Sequence, residues 1–122
     1  MQQCRIIICV LLLIAFASSA QAEWTKRQRD LELTYQILHF VDWRQTRHLS
    51  GNPDDYYEVN PIMGRHPSKQ TVDAYFAASS LAHVGISAML PDEIRDYWQM
   101  VTIGIKTAVV GWNFSIGIKM EF

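Results

Sequence analysis

The chain lacks several features on which catalysis and metal binding commonly depend. Only two cysteines occur in 122 residues, and both, Cys4 and Cys9, lie close to the start. The remainder therefore has no disulfide and no thiol chemistry, even in an oxidising compartment. The H-E-x-x-H and G-x-S-x-G patterns of metalloproteases and serine hydrolases are also missing. We expect no cofactor and no metal site, and the sequence disfavours an enzymatic role without excluding it.

An excess of charge of one sign is missing as well. The chain has 11 Lys plus Arg against 12 Asp plus Glu. Without Arg5, which lies in the N-terminal segment, ten positive residues oppose twelve negative ones, a net charge of −2. Proteins that bind nucleic acids need a strongly basic face. The charge balance therefore predicts no nucleic-acid partner.

The first 22 residues have the three parts of a secretory signal. Arg5 gives a positive start, an apolar run extends from Ile6 to Phe16, and the small residues Ala20-Gln21-Ala22 precede Glu23. The apolar run is shorter than the ~20 residues of a membrane span, which favours a cleaved signal over an uncleaved anchor. We expect one domain, residues 23–122, exported to the cell envelope and located in the inner membrane or the periplasm.

Three helices are predicted in the exported part. Apolar residues at three- to four-residue spacing indicate a helix over 27–49, which the Gly51 to Pro53 cluster ends. Ser68 is a suitable N-cap for a helix over 68–90, and Pro91 suits the first position of a helix over 91–111. The fold class is therefore all-α, a small bundle or hairpin of three helices after a signal peptide.

The last eleven residues follow a different pattern. Apolar and polar residues alternate from Trp112 to Phe122, which is typical of a strand. A single strand has no partner in an otherwise helical chain. We therefore expect the third helix to end near Gly111 and an extended C-terminal tail to follow.

Small residues four apart recur on the second and third predicted helices. In membranes such residues let helix backbones approach closely, and the stretches 74–90 and 100–118 are long enough to span or nearly span a bilayer. This predicts a tightly packed, membrane-embedded hairpin. A soluble hairpin is the alternative, supported by the ionisable residues Asp73, His83 and Lys106. The small residues are Ala74, Ala78, Ala82, Gly85, Gly104, Ala108, Gly111 and Ser115.

Each predicted helix also carries a polar stripe. If the stripes converge, Asp42, His83 and Lys106 could form a buried ion pair or a proton relay, because ionisable groups inside a membrane are usually functional. The alternative is a set of hydrogen bonds that fixes the helix register. The stripes are His39, Asp42 and Thr46; Ser80, His83 and Ser87; and Thr102, Lys106 and Asn113.

The loop before the second helix is dense in residues that restrict the backbone. Pro61 and Pro67 fix two φ angles, and Gly64 can supply a positive one. A rigid loop would hold its polar residues against the end of the first helix, either as a structural network or as a ligand site. The proposed partners are Glu58, Asn60 and His66 on the loop, and Asp42, Gln45 and Thr46 on the helix.

The same strings carry a resemblance to a known family. Asp42-Trp43-Arg44-Gln45-Thr46, Glu58 through Ser68, and Tyr75-Phe76 resemble the D-x-x-Q-T, E-x-N-P-I-x-G-x-H-P-S and Y-F motifs of short membrane-associated proteins of bacteria and their phages. The resemblance covers most of residues 42–118. It implies a small helical membrane protein, and it implies no activity.

Two classes of function remain open. The first is a structural or interaction role in or at the membrane, through helix packing with a protein partner or by self-association. The second is an exported small-ligand binder or enzyme that uses the region of Asp42, Glu58 and His66. A concave pocket that brings these residues together would favour the second class, and a closed network would favour the first.

The signal segment gives the first testable prediction. We expect the exported protein to begin at Glu23, because the small residues before it fit the signal peptidase. N-terminal sequencing of protein recovered from the envelope checks this. An intact Met1, or a start well beyond Glu23, would show that the cleavage site is wrong.

Overall fold

The computed structural model describes residues 24–122, together with Arg5 and Ile8, so the predicted cleavage site lies outside the described residues. Within residues 24–122 the chain has three helices, α1 (Lys26–Ser50), α2 (Lys69–Met89) and α3 (Asp92–Ser115). No strand occurs within residues 24–122, and the predicted all-α fold is confirmed. Among the described residues, no helix is both long and apolar enough to cross a membrane.

Side-chain caps define where the first two helices begin. At α1 the Thr25 hydroxyl accepts from the Gln28 N–H and the Gln28 side chain accepts from the Thr25 N–H, both at 3.1 Å, forming a capping box. At α2 the Ser68 hydroxyl accepts from the Thr71 N–H at 3.1 Å, which confirms the predicted N-cap. These bonds satisfy backbone donors that have no partner within a helix.

The first helix is the centre of the bundle. It packs along α3 in the same direction, since Arg27 pairs with Asp96 near one end and Gln45 bonds Asn113 near the other. It packs against α2 in the opposite direction, because the Gln36 amide donates to the Ser80 carbonyl at 3.3 Å and Arg47 pairs with Asp73 at 2.6 Å. The outer helices α2 and α3 contact each other far less than either contacts α1.

This arrangement corrects the prediction of a tight hairpin. Ala78, Ala82, Gly104 and Ala108 are all exposed rather than buried between α2 and α3. A Cβ added at Gly104 would have no neighbour within 4 Å. The small residues therefore do not form the interface, because both helices pack mainly against α1 rather than against each other.

A glycine cap ends α3 later than predicted. The helix continues past Gly111 to Ser115, and Gly117 then takes a φ of 90°. The Gly117 N–H donates to the Phe114 carbonyl at 3.1 Å and the Ile118 N–H donates to the Asn113 carbonyl at 2.9 Å, which is the Schellman pattern.

The alternating pattern predicted a tail without helix, and the residues after this cap are indeed not helical. The tail turns back along α1. The Glu121 N–H donates to the Arg44 carbonyl at 3.0 Å, and the Glu121 carboxylate pairs with Lys69. Ile118 is buried beneath this return. The tail therefore seals the end of the bundle against α1, instead of pairing as a strand.

The two glycine environments give a stability prediction. Gly104→Ala should raise the free energy of unfolding by about 0.5–1 kcal/mol, because alanine favours a helix and the space is open. Gly117→Ala should lower it by roughly 1–2 kcal/mol, because alanine resists a positive φ and its Cβ would lie 3.2 Å from the Tyr56 hydroxyl. Chemical unfolding followed by circular dichroism measures both. Destabilisation by Gly104→Ala would restore the tight-hairpin prediction.

Candidate functional site

The buried seam of α1 is polar along almost its whole length. Except for the adjacent Gln45 and Thr46, successive buried positions are three or four residues apart, as on one face of a helix. Only Tyr35 and Leu49 among them are mainly apolar. The seam consists of Gln28, Glu32, Tyr35, His39, Asp42, Gln45, Thr46 and Leu49. Helices α2 and α3 therefore meet α1 largely through hydrogen bonds and charge pairs, and the cluster formed by buried apolar side chains is small: Met63, Val72 and Phe76.

The Glu32 carboxylate joins all three helices. One oxygen accepts from His83 and from Gln36, each at 2.9 Å. The other accepts from Ser87 at 3.1 Å and from Gln99 at 3.2 Å. Glu32 is only 4% exposed. A buried carboxylate is tolerated when its lone pairs are satisfied in this way, because an unpaired charge would be strongly destabilising.

His83 has a polar partner at each ring nitrogen. Its Nδ1 donates to the Glu32 carboxylate at 2.9 Å, and its Nε2 lies 2.8 Å from the Thr102 hydroxyl. That hydroxyl also lies 2.8 Å from the Trp98 carbonyl. The ring is stacked between Tyr35, with centroids 3.4 Å apart, and Trp98, at 5.1 Å. These contacts fix the plane of the ring and direct its Nδ1 proton at Glu32.

Arg95 closes the end of α2 from the neighbouring helix. Its guanidinium donates to the Ser87 carbonyl at 2.6 Å and to the Leu90 carbonyl at 2.7 Å. The last carbonyls of a helix lack partners within it, and α2 has no basic residue in its own last turn. Arg95 is 4% exposed and also donates to Gln28 at 3.1 Å. This single side chain therefore fixes the α2–α3 turn onto α1.

Asp42 pairs with Lys106 halfway along the bundle. The Lys106 ammonium donates to the Asp42 carboxylate at 2.6 Å, and the two side chains are 15% and 8% exposed. The Thr46 hydroxyl donates to the Asp42 backbone carbonyl at 2.8 Å. Of the expected trio, Asp42 and Lys106 meet, whereas His83 binds Glu32 instead. The stripes therefore converge at two separate places, the Asp42–Lys106 ion pair and the Glu32–His83 hydrogen bond, rather than in one relay.

His39 lies beside this pair with one nitrogen unused. Its Nε2 is 2.9 Å from the Ser79 hydroxyl, which itself donates to the Tyr75 carbonyl at 2.7 Å. The Ser79 oxygen therefore accepts, and His39 carries its proton on Nε2. The Nδ1 acceptor is buried without a hydrogen-bond partner among the described residues. His39 itself is 4% exposed.

Gln45 makes the last polar contact of the seam. It is fully buried, and its amide donates to the Val110 carbonyl at 3.2 Å while its oxygen accepts from Asn113 at 3.1 Å. Gln45 was expected to bind the loop, but both of its side-chain bonds go to α3. The reason is its position on the helix face that α3 covers.

The loop has the turn that its sequence predicts. Asn60 accepts from the Ile62 N–H through its side chain at 3.0 Å and from the Met63 N–H through its carbonyl at 3.2 Å. Gly64 takes a φ of 80°, and the Glu58 N–H donates to the Arg65 carbonyl at 2.8 Å. The loop is thus closed on itself by local hydrogen bonds.

The polar residues of the loop do not bond α1 as expected. Within residues 24–122, no hydrogen bond joins Glu58, Asn60 or His66 to Asp42, Gln45 or Thr46, and His66 is exposed. Hydrogen bonds within the loop occupy these polar groups instead. The Glu58 carboxylate, for example, accepts from the Asn60 N–H at 2.9 Å.

Glu58 and Asn60 instead share a pocket with Asp42 and Thr46. The pocket has a volume of about 700 Å³ and opens between α2 and α3, with α1 behind it. Its lining also includes His39 and Lys106. The loop and the helix therefore face one cavity without direct hydrogen bonds, and His66 lies outside it.

Several central residues were not foreseen from the sequence. Glu32, Gln99 and Arg95 are in no predicted site, although they form the densest part of the network. The available signal was spacing, because Gln28, Glu32 and His39 continue the stripe of Asp42 towards the N-terminus at intervals of three, four or seven. Within the described part of the chain, no group of three or more His, Cys, Asp or Glu side chains is arranged to hold a metal ion.

Comparison with protein-family models, curated proteins and solved structures found no match to this chain. The resemblance of the loop motifs to membrane-associated proteins of bacteria and phages therefore stays a prediction.

The Glu32 network gives a prediction on stability. Glu32→Ala should lower the free energy of unfolding by about 3–5 kcal/mol, because it leaves the donors of His83, Ser87 and Gln99 without their acceptor in the interior. Glu32→Gln keeps the shape and one acceptor, so its loss should be clearly smaller. Leu33→Ala, at a neighbouring position that is 60% exposed, is the matched control and should change little. A Glu32→Ala protein as stable as the parent in denaturant titrations would contradict the network.

Proposed function

We propose that the chain is a membrane-embedded helical protein of the cell envelope, with a structural or interaction role rather than a catalytic one. The observation that carries the proposal is its inverted surface. Charged and polar side chains fill the helix interfaces, while large apolar side chains point outwards. The exposed apolar residues outside the pocket include Leu33, Ile37, Phe40, Leu81, Ile86, Ile94, Tyr97 and Val101.

Exposed charges are confined to the two ends of the bundle. Residues 31–43, 74–90 and 97–115 form a belt around its middle, and the only Asp, Glu, Lys, Arg or His residues in that belt are Glu32, His39, Asp42, His83 and Lys106. Each of them faces the interior, and all but His39 are paired with one another. Ionisable residues in membrane proteins have this placement, because lipid gives them no partner.

The belt segments of α2 and α3 come close to the thickness of a bilayer. At 1.5 Å per residue they are roughly 25 Å and 28 Å long, and that of α1 roughly 20 Å, against a hydrocarbon core of about 30 Å. Mean hydropathy counts every side chain of a helix, whereas lipid contacts only those that face outwards. In α1 the inward-facing polar seam lowers that mean, while Leu33, Ile37 and Phe40 form its outer face.

The distribution of positive residues favours one orientation. The turn end of the bundle, residues 24–30 and 90–96, exposes Lys26 and Arg27 and half-exposes Arg29. The loop end, residues 44–73 and 116–122, carries Arg44, Arg47, Arg65, Lys69 and Lys119. Cytoplasmic segments carry the excess of Lys and Arg, so we expect the loop end inside and the turn end outside. An N-terminus released by export would lie on the same side as the turn end.

A ligand-binding role is the second candidate, and the pocket favours it. Asp42, Glu58 and Asn60 line one concave space, as the second class of function requires. The exposed His66 takes no part in it.

Cysteine labelling in membranes tests the embedded belt. With Cys4→Ala and Cys9→Ala, a single cysteine is placed at Val101, in the belt, or at Glu93, at the turn end of the same helix; both positions are exposed. A water-soluble maleimide should label Glu93→Cys in intact membranes and should label Val101→Cys only after denaturation, because lipid excludes the reagent.

Two further outcomes complete the test. Asp54→Cys, on the loop, should become reactive only after the inner membrane is permeabilised. Equal labelling of Val101→Cys and Glu93→Cys in intact membranes, or release of the tagged protein by a carbonate wash, would rule out the embedded belt.

A further inference from the structure

The gap between α2 and α3 has the dimensions of a binding site. Both helices pack on α1 and meet at the short turn before Asp92, but they diverge towards the loop end. The hydrogen bonds that join the two helices, His83–Thr102 and Ser87–Trp98, lie towards that turn, and the pocket lies towards the loop end. Its volume of about 700 Å³ is within the range of roughly 300–1,000 Å³ found for small-molecule sites. The loop around Asn60 and the returning tail at Ile118 close it at the loop end.

The walls of the pocket are apolar. Side chains from α1, α2, α3 and the loop contribute to them, so the surface is continuous rather than a single unpartnered helix face. The main wall residues are Leu49, Met63, Phe76, Ile105, Val109 and Trp112. Such walls fit a hydrocarbon chain, whose transfer out of water is favourable by about 0.8 kcal/mol per CH₂.

The floor of the pocket is polar and has unused hydrogen-bonding capacity. The Lys106 ammonium has three N–H donors, and among residues 24–122 it has one acceptor, the Asp42 carboxylate. His39 also lines the pocket, and its Nδ1 acceptor has no partner there. A ligand group that both donates and accepts would match these atoms.

The charges on the floor select the head group. Asp42 and Lys106 are paired, so together they contribute no net charge. A carboxylate or phosphate head would meet Asp42 and the nearby Glu58, and an ammonium head would meet Lys106. Either would bury a charge of its own without a free partner, which is strongly unfavourable.

We propose that this pocket binds a hydrocarbon chain that ends in a neutral hydrogen-bonding group, such as a carboxamide. The amide oxygen accepts from Lys106, the amide N–H₂ donates to Asp42 or His39, and the chain lies along the apolar walls. The proposal adds a ligand to the proposed membrane location but does not depend on it, because the pocket is formed by the bundle itself.

The test uses three photoreactive probes with the same 12-carbon chain, a diazirine near its end, and an amide, carboxylate or ammonium head. The whole exported chain is studied in phosphatidylcholine nanodiscs and, if it purifies without detergent, in buffer. Mass spectrometry locates the crosslinks. The amide probe should label Ile105, Val109 or neighbouring wall residues at least about tenfold more than either charged probe, and unlabelled dodecanamide should compete.

Two matched variants test the pocket itself. Ala108→Trp, at a pocket-lining position, should abolish this labelling by filling the space. Ala82→Trp, at an exposed alanine of α2 outside the pocket, should leave it unchanged. Unchanged labelling in Ala108→Trp, or crosslinks confined to exposed belt residues that do not line the pocket, would overturn the proposal.

Charge variants separate a binding role from a structural one. Lys106→Met leaves Asp42 as the floor charge and should shift the preference to the ammonium probe. Asp42→Leu should shift it to the carboxylate probe. A purely structural ion pair would change stability without exchanging the preferred head group, so unaltered preference in both folded variants would refute the assignment. Cysteine labelling of the belt is a separate measurement. A failure of the pocket proposal can therefore be told apart from a failure of the membrane proposal.

Discussion

The buried carboxylate of Glu32 is the constraint on which the bundle depends. It accepts hydrogen bonds from α1, α2 and α3 at once, through Gln36, His83 and Gln99. Apolar packing is insensitive to direction, whereas hydrogen bonds must be aligned. A bundle held by Glu32, Arg95 and the Asp42–Lys106 pair therefore has its helix register fixed by polar geometry. The outer surface is correspondingly free to be apolar.

Much of the fold could be predicted from local signals. Ser68, Pro91 and the Gly51 to Pro53 cluster mark helix ends through their own side chains and backbone angles, so the three helices were placed within a few residues except at the end of α3. The turn at Asn60 and Gly64 was also foreseen, because its hydrogen bonds are local.

The candidate site was foreseen only in part. The spacing of Asp42 and Lys106 placed each on an inward-facing stripe, and the two side chains meet. The partner of His83 could not be assigned, because one stripe offers several acceptors and only the helix order decides among them. Glu32 and Arg95 were missed since charged residues near helix ends usually face water.

The small-residue faces show a different limit. Gly104 and Ala108 have the spacing of a close helix interface, yet they are exposed. Spacing defines a face of a helix but does not say which neighbour covers it. Here the neighbour is α1. Its seam is too polar to resemble a core helix from its sequence, yet both other helices pack mainly against it.

The polar seam also has a consequence for biogenesis. The ribosome makes α1 first, but Glu32 is separated from His83 by 51 residues and from Gln99 by 67, and Asp42 from Lys106 by 64. Until those partners are translated, α1 has two carboxylates and few apolar side chains on the face that must be buried. Burial of that face in a protein core or in lipid is then unfavourable. Of the three helices, α1 is made first, but its buried carboxylates obtain their hydrogen-bond partners last. A nascent chain that stops before α3 is then a natural substrate for quality-control proteases.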